Sequence, residues 1–295
     1  MNNNKKFPKF IFFGSSNFSL TVLNTLAQIG IYPAGIITSK DKPKGRHLRL
    51  FSSPVKIWGE EKNIPVITSI EEVSKLAKDI PVFLIAAYGK ILSRNILSIP
   101  KYGAVNIHPS LLPKYRGASP IQTALLNGDK KTGVTLMITD RKMDHGPILS
   151  QNMIRLAQNT YYEDLEKKLA TLGAKIFAKI IPKYIKGKII PISQNHKEAS
   201  YTKLITKTDG LIDFSKDSDE IIARKVQAFT PWPGTYFFIS KNNKPFRVII
   251  TQINYSKKTL TIKKVKPEGG REIDWIDFKR NFFGNEKSNF SRFGS

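Results

Sequence analysis

The chain of 295 residues contains no cysteine. That excludes a disulfide scaffold, thiolate metal sites and a cysteine nucleophile, and it fits a reducing compartment. Acids are scarce: 23 Asp and Glu stand against 48 Lys and Arg, a formal net charge of +25. Such a field attracts polyanions, whether nucleic acid, anionic membrane or acidic substrates; a host with a generally basic proteome would give the same number. The basic residues are spread along the chain, so charge alone defines no binding face. No apolar run approaches the ~18 residues of a transmembrane helix. Near the start, only Phe10 to Phe13 is continuously apolar before Gly14, too short for the core of a signal peptide. The expected location is the cytoplasm, with no membrane partner. Familiar catalytic signatures are also missing: G-x-x-x-x-G-K-[ST], G-x-G-x-x-G after the first strand, H-E-x-x-H and G-x-S-x-G. Phosphate-loop enzymes, dinucleotide dehydrogenases, zinc peptidases and serine hydrolases of the elbow type are therefore poor matches.

What is present is an ordinary globular composition, 40% hydrophobic and 24% charged. A chain of this length buries a sizeable core and suggests two domains. The first two-thirds alternates strand and helix signals. Strands are expected at Lys9–Gly14, Ala34–Thr38, Ile64–Ile67, Val82–Ala87, Gly103–His108, Val134–Thr139 and Gly146–Ile154. Helices are expected at Phe18–Ile29, from Ser53 with Pro54 at its first position, and from Ser69 to Lys78, where Glu72 completes a capping box. Alternation of this kind implies parallel β-α-β units in a doubly wound sheet, with ligands beyond the carboxyl ends of the strands. That rule points at Gly14, Ala87 to Gly89 and Asn106 to His108.

A long helix from Tyr162 to Lys186 is expected to bury Leu165, Leu169, Leu172, Ile176 and Ile180 and to solvate its lysines. Residues 193–208 are polar and aperiodic and read as an interdomain linker. Beyond them come one helix, Asp217–Phe229, and strands at Tyr236–Ile239, Phe246–Ile250 and Thr259–Ile262. The expected organisation is a catalytic domain over 1–192, the linker, a small β-rich domain over 209–284 and a tail over 285–295.

Chemistry concentrates in 102–147. Asn106 and His108 lie two apart at the end of a predicted strand, hence on one face. A proline-punctuated loop, Pro109 to Gly117, follows, and Asp144 sits in a turn-rich loop. An amide, an imidazole and a carboxylate with no Ser or Cys nucleophile suggest direct transfer. The amide N–H and a protonated imidazole would stabilise an oxyanion, and the carboxylate would hold the ring or accept a proton. Each residue alone has a plainer reading, as a turn former, a hydrogen-bonded histidine or a loop aspartate.

Asn106-Ile-His-Pro-Ser-Leu-Leu-Pro-Lys-Tyr-Arg-Gly117 resembles the N-x-H-x-S-L-L-P-x-Y-R-G signature of the folate-dependent formyltransferases, and Asp144 falls where that family carries its aspartate. Pro120 to Gly128 and Thr132 to Met137 continue the likeness. Thr38 to Arg46, Ser53 to Lys56, Ala87 to Leu92, Asp209 to Phe214, Ala228 to Gly234, Val265 to Gly270 and Trp275 to Phe278 resemble the branch acting on methionyl-tRNA. The resemblance implies an α/β fold, a Rossmann-like formyltransferase domain followed by a small OB-type β-barrel. It implies transfer of the formyl group of 10-formyltetrahydrofolate to the α-amine of methionine on initiator methionyl-tRNA, with no metal. Asn106, His108 and Asp144 would be catalytic, the roles of the last two being interchangeable at this point. Ala87, Tyr88, Gly89, Ile91, Ser110, Leu111, Leu112, Pro113, Tyr115, Arg116, Gly117 and Asp140 would hold the folate. Lys40, Lys42, Lys44, Arg46 and Arg49 would meet the tRNA, with Lys257, Lys258, Lys263, Lys264 and Lys266 as a further phosphate-tracking surface. The expected state is a monomer.

The chain departs from that pattern in places. The family's D-x-G-x-D-T-G has Lys142 for the first Gly and His145 for the Thr here. A Gly often serves positive φ, so an altered loop is expected. The stretch from Ile253 to Thr259 is shorter than usual, which implies a trimmed barrel hairpin. A sugar-nucleotide N-formyltransferase shares the fold and triad but has no use for a basic 40–49 loop. A non-catalytic RNA-binding relative is the third reading, opposed by the intact Asn106, His108 and Asp144.

Overall fold

Phe10, Ile11, Phe12 and Phe13 are all fully buried, as a strand covered on both faces requires. In the computed structural model, which describes residues 7–44, 49–241 and 243–283, they form β1 (Phe10–Phe13). There follow α1 (Asn17–Ala27), β2 (Gly35–Ile37), β3 (Lys42–Lys44), β4 (Arg49–Phe51), α2 (Pro54–Glu61), β5 (Val66–Ile67), α3 (Val73–Leu76), β6 (Val82–Ile85), α4 (Arg94–Leu97) and β7 (Ala104–His108). Next come β8 (Arg116–Gly117), α5 (Pro120–Leu126), β9 (Lys131–Ile138), β10 (Ile148–Arg155), α6 (Tyr162–Ile185) and β11 (Tyr201–Thr202). The chain continues through α7 (Asp219–Phe229), β12 (Thr235–Lys241), β13 (Lys244–Ser256), β14 (Thr259–Pro267), β15 (Ile273–Asp274) and α8 (Trp275–Phe283).

The chain packs as two compact units. One takes in residues up to 118 with 132–154 and 166–202; the other takes in 119–131, 155–165 and 203 onward. The first unit holds a seven-stranded sheet in the order β10-β9-β7-β6-β1-β2-β5. Its β5, β2, β1, β6 and β7 are mutually parallel, but β9 runs antiparallel to β7. The parallel units expected from the alternation thus extend through β7 and end there. A parallel neighbour needs a crossover helix returning over the sheet, and the intervening α5 packs in the other unit. The strand order reverses at β1, between β2 and β6, which makes the carboxyl ends of β1 and β6 the natural ligand crevice.

Both faces of β1 are aromatic. Phe13 meets Phe83 and Tyr88, while Phe10 meets Phe177 of α6 with ring centres 5.2 Å apart. Helix α6 approaches the sheet closely because Gly173 has no side chain; a Cβ there would lie 2.3 Å from Ile107 of β7. Its buried stripe therefore runs through Leu169, Gly173, Phe177 and Ile181, with Leu165 and Ile176, while Leu172 and Ile180 sit half-buried at its flanks. The six α6-side lysines are exposed as expected. Ser16 and Ser19 form the capping box of α1, and Ser53 caps α2. The box expected at Ser69 and Glu72 does not form: a 3₁₀ turn occupies Ile70–Glu72, and the Ser69 hydroxyl bonds Glu71 instead.

Segment 193–208 carries more structure than a linker. Gln194 is buried, and Tyr201–Thr202 forms a two-stranded parallel ladder with β8. The second unit packs α7 and α8 against a four-stranded antiparallel sheet, β12-β13-β14-β15, over a core that includes Phe237, Val248, Leu260, Trp275 and Phe278. A parallel bridge from Leu211 to Tyr236 lengthens the sheet at its β12 edge. The hairpin joining β13 to β14 turns at Lys257 and Lys258, both with left-handed backbone (φ +49° and +63°). Paired positive φ is what a two-residue hairpin turn needs to match strand twist. The tail over 285–295 lies outside the described residues. Among the described residues no helix is long and apolar enough to cross a membrane.

Candidate active site

Strand β7 ends with Asn106 half-buried and His108 buried, two residues apart. Both reach the same oxygen: Asn106 Nδ2 and His108 Nδ1 each lie 3.5 Å from Asp144 Oδ1. The other carboxylate oxygen of Asp144 accepts a 2.8 Å hydrogen bond from the Gly117 amide. The three sequence candidates for catalysis are thus gathered at one carboxylate.

His108 Nε2 lies 2.9 Å from the carbonyl oxygen of Tyr115. A carbonyl only accepts, so Nε2 carries the hydrogen. In the neutral ring Nδ1 is then the basic nitrogen, and it is the one facing Asp144. The ring nitrogen able to accept a proton is thus the one nearest the Asp144 carboxylate.

The loop from Pro109 to Gly117 is fastened from outside. Thr135 Oγ1 donates to the Ser110 carbonyl at 2.7 Å and accepts from the Leu112 amide at 3.1 Å. Gln151 Nε2 donates to the Leu112 carbonyl at 2.6 Å, and Ser110 Oγ bonds the Lys114 carbonyl. Ser200 accepts from the Tyr115 amide through its hydroxyl and from the Arg116 amide through its carbonyl. Leu112, Tyr115 and Arg116 are buried by this arrangement; Leu111, Pro113 and Gly117 remain half-buried.

Two of the residues expected to hold a ligand do other work. Tyr88 lies in the hydrophobic cluster of Phe13 and Phe83; burial pushes its phenol up, and its hydroxyl has no hydrogen-bond partner among the described residues. Arg116 is 1% exposed, with its guanidinium on Gln194 Oε1, His196 Nδ1 and the Tyr201 hydroxyl. Their neighbours are better placed. Ala87 (φ +47°) and Gly89 (φ +75°) turn the backbone sharply at the end of β6 and are exposed, as is Ile91.

Left-handed backbone in the aspartate loop falls on Asp144 itself (φ +48°), not on Lys142. Gly146 is required for space: a Cβ there would lie 1.9 Å from the Ile138 carbonyl oxygen. His145 neither faces the Asp144 carboxylate nor stands free in solvent. Its Nδ1 is 2.7 Å from Asp140 Oδ2, and its ring stacks on His196 at 3.8 Å. Asp140 is thereby engaged by His145 and by the Lys142 amide. Lost hydration, then the charges of His145, Arg116 and Lys142, hold His196 below the ordinary imidazole value. Sequence reasoning missed Thr135, Gln151, Gln194 and Ser200, whose polar side chains carry no periodic signal.

In the first unit, β3 and β4 pair as a hairpin. Its tip, 45–48 with Arg46, lies outside the described residues, as do the side chains of Lys42, Lys44 and Arg49. Lys40 is exposed, and the loop's one acid, Asp41, pairs with Lys56 at 2.8 Å. In the second unit Lys257, Lys258, Lys263 and Lys266 are exposed, and Lys264 is 3.4 Å from Glu272. Among the described residues no group of three or more His, Cys, Asp or Glu is arranged to hold a metal.

An amide, an imidazole with its Nε2 hydrogen held by a carbonyl and a carboxylate thus meet at the end of β7 in a mostly parallel α/β sheet, the class of fold in which ligands sit beyond the strand ends. Comparison with known proteins gives that class its identity. A family model described as formyl transferase matches residues 8–181, and one described as formyl transferase, C-terminal domain, matches 204–261. A methionyl-tRNA formyltransferase of Chloroflexus aurantiacus is 40% identical over 249 residues, covering 82% of this chain and 79% of that protein. One from Roseiflexus castenholzii is 33% identical and covers 92% of this chain and 95% of its own length. The solved N-formyltransferase of Helicobacter canadensis, in complex with folinic acid and dTDP-3-aminofucose, shares the fold (TM-score 0.60, 22% identity, covering 87% of this chain and 95% of that one). The chain belongs to the formyl transferase family and, within it, to the methionyl-tRNA formyltransferases.

Proposed function

We propose that this enzyme transfers the formyl group of 10-formyltetrahydrofolate to the α-amine of methionine on initiator methionyl-tRNA, the step that prepares the initiator for translation. The observation that carries the reading is the meeting of Asn106, His108 and Asp144 at one carboxylate oxygen. The donor set fits a formyl group: a half-buried amide N–H for the carbonyl oxygen, and an adjacent base for the amine proton.

The uncharged amine attacks the formyl carbon and a tetrahedral centre forms. Asn106 donates a hydrogen bond to the oxygen as it becomes anionic. His108 Nδ1 takes the proton of the attacking amine, and Asp144 stabilises the resulting imidazolium. The imidazolium then returns a proton to the folate nitrogen as the carbon–nitrogen bond to the donor breaks. The exposed turn at Ala87 and Gly89, with Leu111, Pro113 and Gly117, is the lining we assign to the folate. The basic hairpin around Lys40 to Arg49 is assigned to the tRNA, with the lysines of β14 as a second contact for phosphates. The reaction is placed in the cytoplasm, a reducing compartment with which the absence of cysteine agrees.

The test is single-turnover formyl transfer from 10-formyltetrahydrofolate to methionyl-initiator tRNA. Methionyl-elongator tRNA and a nucleotide amino sugar serve as parallel acceptors. Formylation of the initiator is the expected result. Transfer to the sugar with silence on both tRNAs would overturn the reading.

A further inference from the structure

We infer that Gln194, in the segment whose polarity reads as a linker, is a positioning residue for Asp144. The inference rests on the assignment of Asp144 to the reaction. Gln194 is buried and its amide makes four hydrogen bonds. Its Nε2 donates to the carbonyl oxygens of Asp144, at 2.9 Å, and of Gly146, at 2.7 Å. Its Oε1 accepts from Arg116 Nε at 3.2 Å and Nη2 at 2.6 Å. The orientation of the amide is dictated by its partners. Carbonyls only accept and a guanidinium only donates, so the amide cannot be flipped, and no other side chain of this length offers both ends at once.

Two features make the contact matter. Asp144 adopts left-handed backbone, which a non-glycine residue keeps only where its surroundings hold it. Gln194 grips the main chain on both sides of His145, at the strained residue and two residues on. The second feature is that Gln194 ties the aspartate loop to the strand it must face. Gly117 bonds the Asp144 carboxylate through its amide, and its neighbour Arg116 bonds Gln194. The carboxylate and the backbone of Asp144 are thus anchored to the same two residues of β8, one directly and one through Gln194. Ring stacking of His145 on His196, which accepts from Arg116, closes the far side of this network.

Gln194→Glu separates the two ends of the amide. It keeps acceptors for Arg116 and replaces the donors to Asp144 and Gly146 with a carboxylate that repels their oxygens. Gln194→Met removes both ends at nearly the same length. Two quantities are read on the full chain: hydrogen exchange of the Gly117 amide against amides of β7, and steady-state formylation. In both variants Gly117 exchange is expected to rise at least ~10-fold with β7 unchanged. The kcat is expected to fall ~10–100-fold with both KM values within about twofold, the signature of a displaced group rather than lost binding. Wild-type Gly117 exchange in Gln194→Glu would overturn the inference whatever the chain transfers. So would a loss confined to Gln194→Met, which would credit the Arg116 contact alone. Asp144→Asn is measured alongside: full activity in it would remove Asp144 from the reaction, and the positioning role with it.

Discussion

Asn106, His108 and Asp144 are ordinary side chains made specific by what surrounds them. The Tyr115 carbonyl sets the tautomer of His108, and the Gly117 amide fixes one oxygen of Asp144, leaving the other for the site. Asn106 is the only one of the three whose donor groups face the site without a competing short bond, its contact to Asp144 being at the 3.5 Å limit. It is therefore free to bond an oxygen that becomes anionic. Asn106→Ala is expected to lower kcat by ~10²–10³, the range for loss of one oxyanion donor, with tRNA affinity nearly unchanged. Single-turnover rates with a filter-binding measurement on the same preparation check it. An unchanged rate would move the oxyanion role elsewhere.

Elements supply that specificity by holding loops. Strand β9 presents Thr135 to the signature loop, and Ser200, just before β11, bonds it from the other side, so the loop is braced along its length. In the second unit the short segment before α7 is braced by Asp209. Its carboxylate bonds Lys203 and both the hydroxyl and amide of Thr206, which lower its pKa to about 2. A carboxyl depressed in the folded state binds fewer protons than in the unfolded state between that value and the ordinary 3.8. Stability from it is complete above the unfolded value and is lost as pH falls through about 2. Allowing for the exposed Lys203, the contribution is about 1–2 kcal/mol. Asp209→Asn should show that deficit in urea unfolding at pH 5, narrowing steadily toward pH 2.5. A deficit independent of pH would assign Asp209 a purely steric part.

At the scale of the molecule, the excess of +25 acts over distances that no single contact spans. Engagement of Asp41 by Lys56 leaves the hairpin's one acid neutralised from outside the loop. If the hairpin meets phosphates, each contact steepens the salt dependence of tRNA binding by ~0.7–0.9 in log–log slope. Replacing Lys40, Lys42, Lys44, Arg46 and Arg49 with Glu is expected to raise the KM for tRNA at least ~10-fold and to flatten that slope. The KM for the folate donor should stay put. Titrations between 50 and 200 mM salt, roughly the range over which such contacts weaken, decide it. An unaltered slope would transfer the footprint to the lysines of β14.

Local pattern determined much of this protein. Four consecutive apolar residues made β1 legible, helical spacing marked α6 to within a residue at its end, and the contiguous run from Asn106 to Gly117 carried the family and two of the three catalytic candidates. These signals are short-range: each is written within a strand, a helix or one loop. Tertiary structure decided what depends on partners far along the chain. The reversal of β9, the capture of Tyr88 by the core and the tautomer of His108 follow from packing across elements. Gln194 is the clearest case. It lies 50 residues from Asp144 and 78 from Arg116, and hydrogen bonding between single polar side chains at such separations leaves no period, spacing or composition to read.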